Sequence, residues 1–269
     1  MTENAYSEPL VAVSRKGGRV DLRLNRPEQF NALSEELLSA LGRELETIGA
    51  DASVRCVVLS GAGKAFCAGH DLRQMRASPQ LDYYRHLFES CTEVMRAITE
   101  LSVPVIARVQ GVATAAGCQL VASCDMAIAS ESARFAVSGI NVGLFCSTPA
   151  VALSRNISSK RAFEMLVTAR FIDAATAENW GLVNRSVPDD ALDVAVDELV
   201  RVIETKSPAA IRHGKSLFYA QQECPRAAAY ALACEVMAQN MMEEDAGEGI
   251  DAFLEKRPPV WTRYADTTK

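Results

Sequence analysis

Two runs of small residues offer the most direct chemistry in this chain. Phe66-Cys67-Ala68-Gly69-His70-Asp71-Leu72 and Gly111-Val112-Ala113-Thr114-Ala115-Ala116-Gly117-Cys118-Gln119 each follow a strand-like apolar run and lead into a helical pattern. Without bulky side chains the backbone N–H groups can approach a ligand closely, and at a helix N-terminus they point outward with the positive end of the dipole behind them. Two such ends facing one another would give two donors to one oxyanion. Spacing alone leaves a second reading open, because tight packing of a helix on a sheet also asks for small residues.

Side chains able to move a proton or attack a carbon are few. His70 follows Gly69 at the rim of the first run, His86 falls in the helical pattern Tyr83-Tyr84-Arg85-His86, and His213 lies in an amphipathic stretch that reads as surface. Asp71 stands where a helix begins and reads as a cap or loop brace. Eight cysteines are scattered with no C-x-x-C pair and no nearby histidine cluster, so no metal site is expected and most read as small buried hydrophobes. Glu243-Glu244-Asp245 reads as a solvated helix face.

Alternating period-2 and period-3.6 segments must position these groups, a pattern of repeated βαβ units. Val11–Arg15 and Val20–Leu24 flank Gly17-Gly18 as a hairpin. A helix starts at Ser34, a good N-cap, with Leu37, Leu41, Leu45 and Ile48 on one face. Strands are expected at Arg55–Leu59, Val103–Val109 and Met126–Ala129, with helices over Asp82–Glu100 and from Gly117 to Cys124. After about Ser158 the pattern is almost entirely helical.

At 269 residues the chain has room for one large domain or two small ones. Its 28 basic and 34 acidic side chains leave a net charge of −6 with no Lys/Arg-rich run, which argues against nucleic acid as a partner. No stretch of about 18 uncharged apolar residues exists, so no membrane span is expected. Residues 1–18, with Glu3, Glu8, Arg15 and Lys16, fit neither a secretory nor an organellar leader, and the location expected is cytoplasmic.

Asn25-Arg26-Pro27-Glu28-Gln29-Phe30-Asn31-Ala32-Leu33, the run Lys64–Leu72, the run Gly111–Leu120 with Cys124-Asp125 after it, and Phe163-Glu164-Met165-Leu166 through Ala174 and Ala177 to Gly181-Leu182-Val183 occur in order over roughly residues 10–257. Together they resemble the enoyl-CoA hydratase/isomerase (crotonase) superfamily. The resemblance implies an α/β fold, a crotonase-like ββα spiral core over 1–200 with an all-helical C-terminal trimerisation region over 201–269. It implies an acyl-CoA substrate, with coenzyme A part of the substrate and no resident cofactor, and a homotrimer or homohexamer. Carried over by motif, the oxyanion donors are the N–H groups of Ala68 and Ala116. CoA would lie along Arg26, Glu28 and Phe30, with its adenine near Ala68, Gly69, His70, Asp71 and Leu72. Lys256 matches a position from which a neighbouring subunit reaches the CoA phosphates.

The departures bear on the reaction. Hydratases of the superfamily use two glutamates, and the matching positions here hold Gln119 and Gly139. An amide can orient water but does not exchange protons near neutral pH, and glycine offers only backbone. His86, in a helix that relatives place over the acyl pocket, and Cys146, at or next to the position of a catalytic aspartate in some relatives, are the substitute candidates. The nominal reaction is enoyl-CoA hydration. Acyl-CoA hydrolysis, decarboxylation or isomerisation, and non-catalytic acyl-CoA binding, are open alternatives.

Overall fold

Val20, Leu22 and Leu24 are buried while Arg23 between them is exposed, and this period of two starts the main sheet. In the computed structural model, which describes residues 8–262, β1 (Val11–Lys16) and β2 (Arg19–Leu24) form an antiparallel hairpin turned at Gly17, whose φ is +59°. Glu3 and the outer ends of the two expected regions, 1–7 and 263–269, lie outside the described residues.

The later strands are β3 (Cys56–Gly61), β4 (Ala65–Cys67), β5 (Val105–Val109), β6 (Val112–Thr114), β7 (Met126–Ser130), β8 (Arg134–Ala136), β9 (Ile172–Asp173) and β10 (Arg185–Val187). They divide into a six-stranded sheet ordered β1-β2-β3-β5-β7-β10, parallel from β2 onward, and a four-stranded sheet ordered β4-β6-β8-β9. The helices are α1 (Glu35–Gly49), α2 (Leu72–Ala77), α3 (Leu81–Glu100), α4 (Ala116–Ser123), α5 (Ser147–Asn156), α6 (Ser159–Thr168), α7 (Ala174–Trp180), α8 (Leu192–Glu204), α9 (Pro208–Gln222), α10 (Arg226–Met241) and α11 (Glu244–Glu255). Three times the chain runs from a strand of the large sheet to a strand of the small one and then to a helix: β3-β4-α2, β5-β6-α4 and β7-β8-α5. This repeat is the expected ββα spiral, and it brings the ends of β4, β6 and β8 together.

Alternation gives the large sheet two buried faces. Val57 and Leu59 pack with Leu37, Leu41 and Leu45 of α1, whose N-cap Ser34 accepts from Leu37 N–H at 3.3 Å. Cys56 and Val58 face the other way, against Leu192, Val196 and Val200 of α8. The division expected at residue 200 therefore falls inside a helix that covers the core sheet, and the chain leaves this sheet only after Glu204. Two short strands, β9 and β10, interrupt the stretch after Ser158 that the periodicity makes almost entirely helical. They are two and three residues long, too short to carry a visible period.

Of the C-terminal helices, α9 is clamped to the core. Lys215 Nζ donates to the carbonyls of Ile98 and Val103, each at 2.9 Å, and pairs with Asp125 at 2.7 Å, while Tyr219 Oη donates to the same carboxylate at 2.9 Å. By contrast, α10 buries none of its 16 residues within this chain, leaving Tyr230 and Met237 exposed.

Candidate active site

Gly69 fixes the geometry where the two small-residue runs meet. Its φ is +91°, and a Cβ built there would stand 2.8 Å from Ala115 Cβ, 3.1 Å from Thr114 O and 3.3 Å from Ala116 N. Glycine is thus needed twice over, for the dihedral and for the close approach. Gly117 permits the matching approach from the other side, since a Cβ there would overlap the Cys67 carbonyl. Ala115, the N-cap of α4, is held at φ +51°, an uncommon backbone for alanine, with its N–H on Ala136 O at 3.0 Å. The N-terminus of α4 therefore lies directly against the loop after β4.

The donors differ in part from those expected. Ala68 N–H is engaged by the Phe30 carbonyl at 3.0 Å, so it is not available to a ligand in this arrangement. Asp71 N–H donates to Leu33 O at 3.1 Å. Between them, His70 N–H has no acceptor among the described residues, and neither has Ala116 N–H at the start of α4. Of the expected donors Ala68 and Ala116, only Ala116 has an N–H without an acceptor among the described residues, and the neighbouring N–H left in that state is that of His70. The physical reason is that Ala68 closes the strand edge against the Phe30 loop, whereas the left-handed turn at Gly69 releases the N–H that follows it.

This junction opens on a cavity of about 230 Å³. Ala68, His70, Ala116, Ser138, Gly139 and Cys146 contribute to one wall, and Leu72, Met75, Phe88, Leu144, Phe145 and Pro149 make the remainder largely apolar. Such a space suits an apolar chain with one polar end. Leu72 also borders an outer groove of about 600 Å³ beside Arg26, Glu28, Phe30 and Asp71. The Arg26 guanidinium reaches Ala32 O at 2.6 Å and Asp71 at 3.1 Å. Asp71 caps α2 by accepting from Arg73 N–H and Gln74 N–H. Glu28 and Phe30 are exposed along the groove. Behind it lies Asn31, fully buried, whose Nδ2 donates to Ala62 O, Ala65 O and Phe66 O and whose Oδ1 accepts from Arg26 N–H. Sequence reasoning gave Asn31 no role. Its signal is the left-handed φ of +55°, which asparagine tolerates better than most residues.

Other expected residues move as well. His86 is exposed and contributes nothing to the cavity, because the buried stripe Leu87, Cys91, Val94 turns that side of α3 inward and Phe88 is the residue that reaches the cavity. His70, expected at the rim, instead forms part of the wall. Its ring meets Phe88 edge-on at 5.4 Å between centroids, and its Nε2 is buried with no partner among the described residues. Burial pushes its pKa down from 6.5 to about 4, so the ring is neutral at pH 7. His213, expected at the surface, is half-buried and shares a 2.8 Å hydrogen bond with Glu243.

Gln119 is 4% exposed, lies outside the cavity wall, and has an Oε1 that accepts nothing among the described residues. Cys146 does line the cavity, but burial raises its thiol pKa against a hydrogen bond from the Gly139 backbone, and it stays protonated. Gly139 has no room for a side chain: a Cβ would stand 2.5 Å from Leu144 O and 2.7 Å from Cys146 Sγ. Lys256 is exposed at the C-cap of α11 and borders neither space in its own chain.

Comparison with known proteins agrees with this architecture. The enoyl-CoA hydratase/isomerase family matches residues 15–264, and the chain belongs to that family of acyl-CoA enzymes. It is 42% identical over 254 residues to the mitochondrial enoyl-CoA hydratase domain-containing protein 3 of Xenopus laevis, covering 94% of this chain and 86% of the relative. The crystal structure of an enoyl-CoA hydratase from Mycobacterium smegmatis superposes with a TM-score of 0.94 at 59% identity, covering 94% of this chain and 99% of that one. Human enoyl-CoA hydratase domain-containing protein 3 gives 0.91 at 40% identity, covering 94% and 100%. The cytoplasmic expectation is corrected by these relatives, since the frog, zebrafish, rat, mouse and human proteins are all named mitochondrial. The charge pattern of residues 1–18 was too weak a basis for that expectation.

Proposed function

We propose that the protein binds an acyl-CoA and stabilises negative charge on its thioester oxygen, as an enolate or a tetrahedral oxyanion, between the N–H groups of His70 and Ala116. The observation that carries this reading is the pair of N–H groups without acceptors among the described residues, brought together by Gly69 at the head of an apolar cavity. Each such donor is typically worth ~2.7–4 kcal/mol of transition-state stabilisation. The acyl chain occupies the space between Leu72 and Phe145, and the CoA moiety follows the groove beside Arg26, Glu28 and Phe30. CoA belongs to the substrate, and the reading requires no resident cofactor or metal.

Hydration of a 2-enoyl-CoA by the family's glutamate pair is not supported by these residues. Gln119 carries no exchangeable acid, and the backbone at Gly139 excludes the second carboxylate. A homotrimer or homohexamer gives the bare surface of α10 a partner, and a neighbour's Lys256 then completes the CoA site. A thermal-shift series with butyryl-, octanoyl- and palmitoyl-CoA, alongside a crotonyl-CoA hydration assay, tests the reading. Melting temperatures that rise with at least one acyl-CoA, and hydration that is slow, support it. No shift at millimolar ligand, or hydration as fast as that of a glutamate-bearing hydratase, overturns it.

A further inference from the structure

We propose that the cavity selects acyl-CoA thioesters with an uncharged aliphatic chain of medium length, about eight carbons, and that Phe88 sets this limit. The inference rests on the acyl-CoA reading above and adds the length and character of the acyl group, whichever bond the protein transforms. Volume gives the length. A cavity of ~150 Å³ walled by aliphatic and aromatic side chains accommodates benzene, about 25 Å³ for each carbon. The cavity of about 230 Å³ then takes roughly nine carbon-sized groups, and the thioester sulfur uses one of those places. An octanoyl group fills it. A palmitoyl group would need roughly 400 Å³, well beyond the space between these walls.

The wall that sets the limit is braced by neighbours on three segments of the chain. Phe88, half-buried on α3, meets the His70 ring edge-on at 5.4 Å between centroids and stacks on Tyr84 at 6.5 Å. Tyr84 Oη donates in turn to the carbonyl of Met75 on α2 at 3.1 Å, and Met75 lines the same cavity. The phenyl ring cannot swing aside without losing both aromatic contacts, so the cavity does not widen there to suit a longer chain. His70 is then a positioning residue, whose buried ring backs Phe88. The character of the chain follows from the lining. Burial keeps His70 neutral at pH 7, and the other lining residues among those described are apolar or carry a hydroxyl or a thiol. The Ser138 hydroxyl is shared with Thr114 at 2.8 Å, and the Ser147 hydroxyl donates to Phe145 O at 3.3 Å. A carboxylate at the far end of the chain would be buried with no cation to pair, which is costly.

Dissociation constants of the full chain for butyryl-, octanoyl-, dodecanoyl- and palmitoyl-CoA, and for suberyl-CoA, whose eight-carbon chain ends in a carboxylate, are to be measured by competition calorimetry, with each ligand below its micelle concentration. The expected affinity rises by at least about tenfold from butyryl- to octanoyl-CoA, as burial of added methylenes requires, and falls by at least about tenfold at palmitoyl-CoA. Suberyl-CoA is expected to bind about 10²-fold more weakly than octanoyl-CoA. Phe88→Ala opens room for about four more carbons and should move the maximum to dodecanoyl-CoA. A ring that serves only the fold would weaken every chain length alike. Affinity that keeps rising to palmitoyl-CoA, suberyl-CoA bound as tightly as octanoyl-CoA, or a folded Phe88→Ala protein with the wild-type order of affinities overturns the inference and leaves the acyl-CoA reading standing. No binding of any of the five by the wild type overturns both. Should Phe88→Ala fail to fold, Phe88→Leu decides in its place: a gain of dodecanoyl- over octanoyl-CoA supports the inference and an unchanged order overturns it.

Discussion

On the proposed reading Gly139 takes the place of the second glutamate of the family's hydratases, and the backbone there leaves no space for a side chain. The Leu144 carbonyl and Cys146 Sγ lie within 2.7 Å of a Cβ at that position. Installing glutamate at both 119 and 139 is therefore expected not to restore hydration, because a side chain at 139 would displace the loop that forms the cavity wall. Even Gly139→Ala is expected to lower the free energy of unfolding by about 1–3 kcal/mol in urea titration. An unchanged midpoint would show that the loop yields freely. His70 gives a second residue-scale test. Its folded pKa of about 4 lies below the ordinary 6.5, so between these values the unfolded chain binds the extra proton. Its share of stability is complete above about pH 6.5 and is lost as pH falls through about 4. The ring packs against Phe88, the Cys146 thiol lines the same cavity, and Asp71, next in sequence, is tied to Arg26. His70→Gln should flatten the decline of stability between pH 6.5 and 4, and identical slopes for the two proteins would contradict the assignment.

At the scale of elements, the apposition of β4 and α4 makes the site and the α9 clamp holds its far side. Asp125 follows directly on the segment that ends α4, and its carboxylate accepts from Val105 N–H at 2.6 Å and from Tyr219 while pairing with Lys215. Removing the cation alone strands a largely buried carboxylate. Lys215→Ala should accordingly cost ~3–5 kcal/mol of stability by chemical denaturation, and a loss below 1 kcal/mol would mean that water readily replaces the ammonium. The hairpin, α1, α3, β5 and β7 were legible because burial imposes periods of 2 and 3.6 over five or more residues. The two junctions were legible because close approach demands small residues at Gly69 and Gly117. That the N–H of His70 rather than that of Ala68 is left without an acceptor was not legible. It depends on which N–H the Phe30 carbonyl captures, a contact 38 residues apart along the chain that leaves no local pattern. His86 was misplaced for a related reason: one residue is 100° of helix, and the stripe is broad enough to admit either phase.

Over the whole molecule, apolar surface is unevenly covered. Tyr230, Met237 and Met242 are at least 70% exposed around α10, and Phe253 and Leu254 are similarly bare on α11. Exposed apolar side chains on two helices ask for a partner, and we propose that a second copy of the chain in a closed symmetric assembly supplies it. Light scattering of the full chain should give the mass of a trimer or hexamer, and a stable monomer would contradict the assembly. Lys256→Ala should weaken CoA binding without changing that mass. The strap after α11 is anchored by Trp261 Nε1 on Thr205 O and by Thr262 N–H on the buried Asp245, so a point substitution isolates the lysine better than removal of residues from Gly247 onward.

The most direct test of the account is a crystal structure of the protein with an octanoyl-CoA analogue in which a methylene replaces the sulfur, which keeps the carbonyl and resists hydrolysis. The carbonyl oxygen should lie about 2.7–3.1 Å from both His70 N and Ala116 N, with the octanoyl chain between Leu72 and Phe145. A carbonyl placed elsewhere, or an acyl chain outside that cavity, would contradict it.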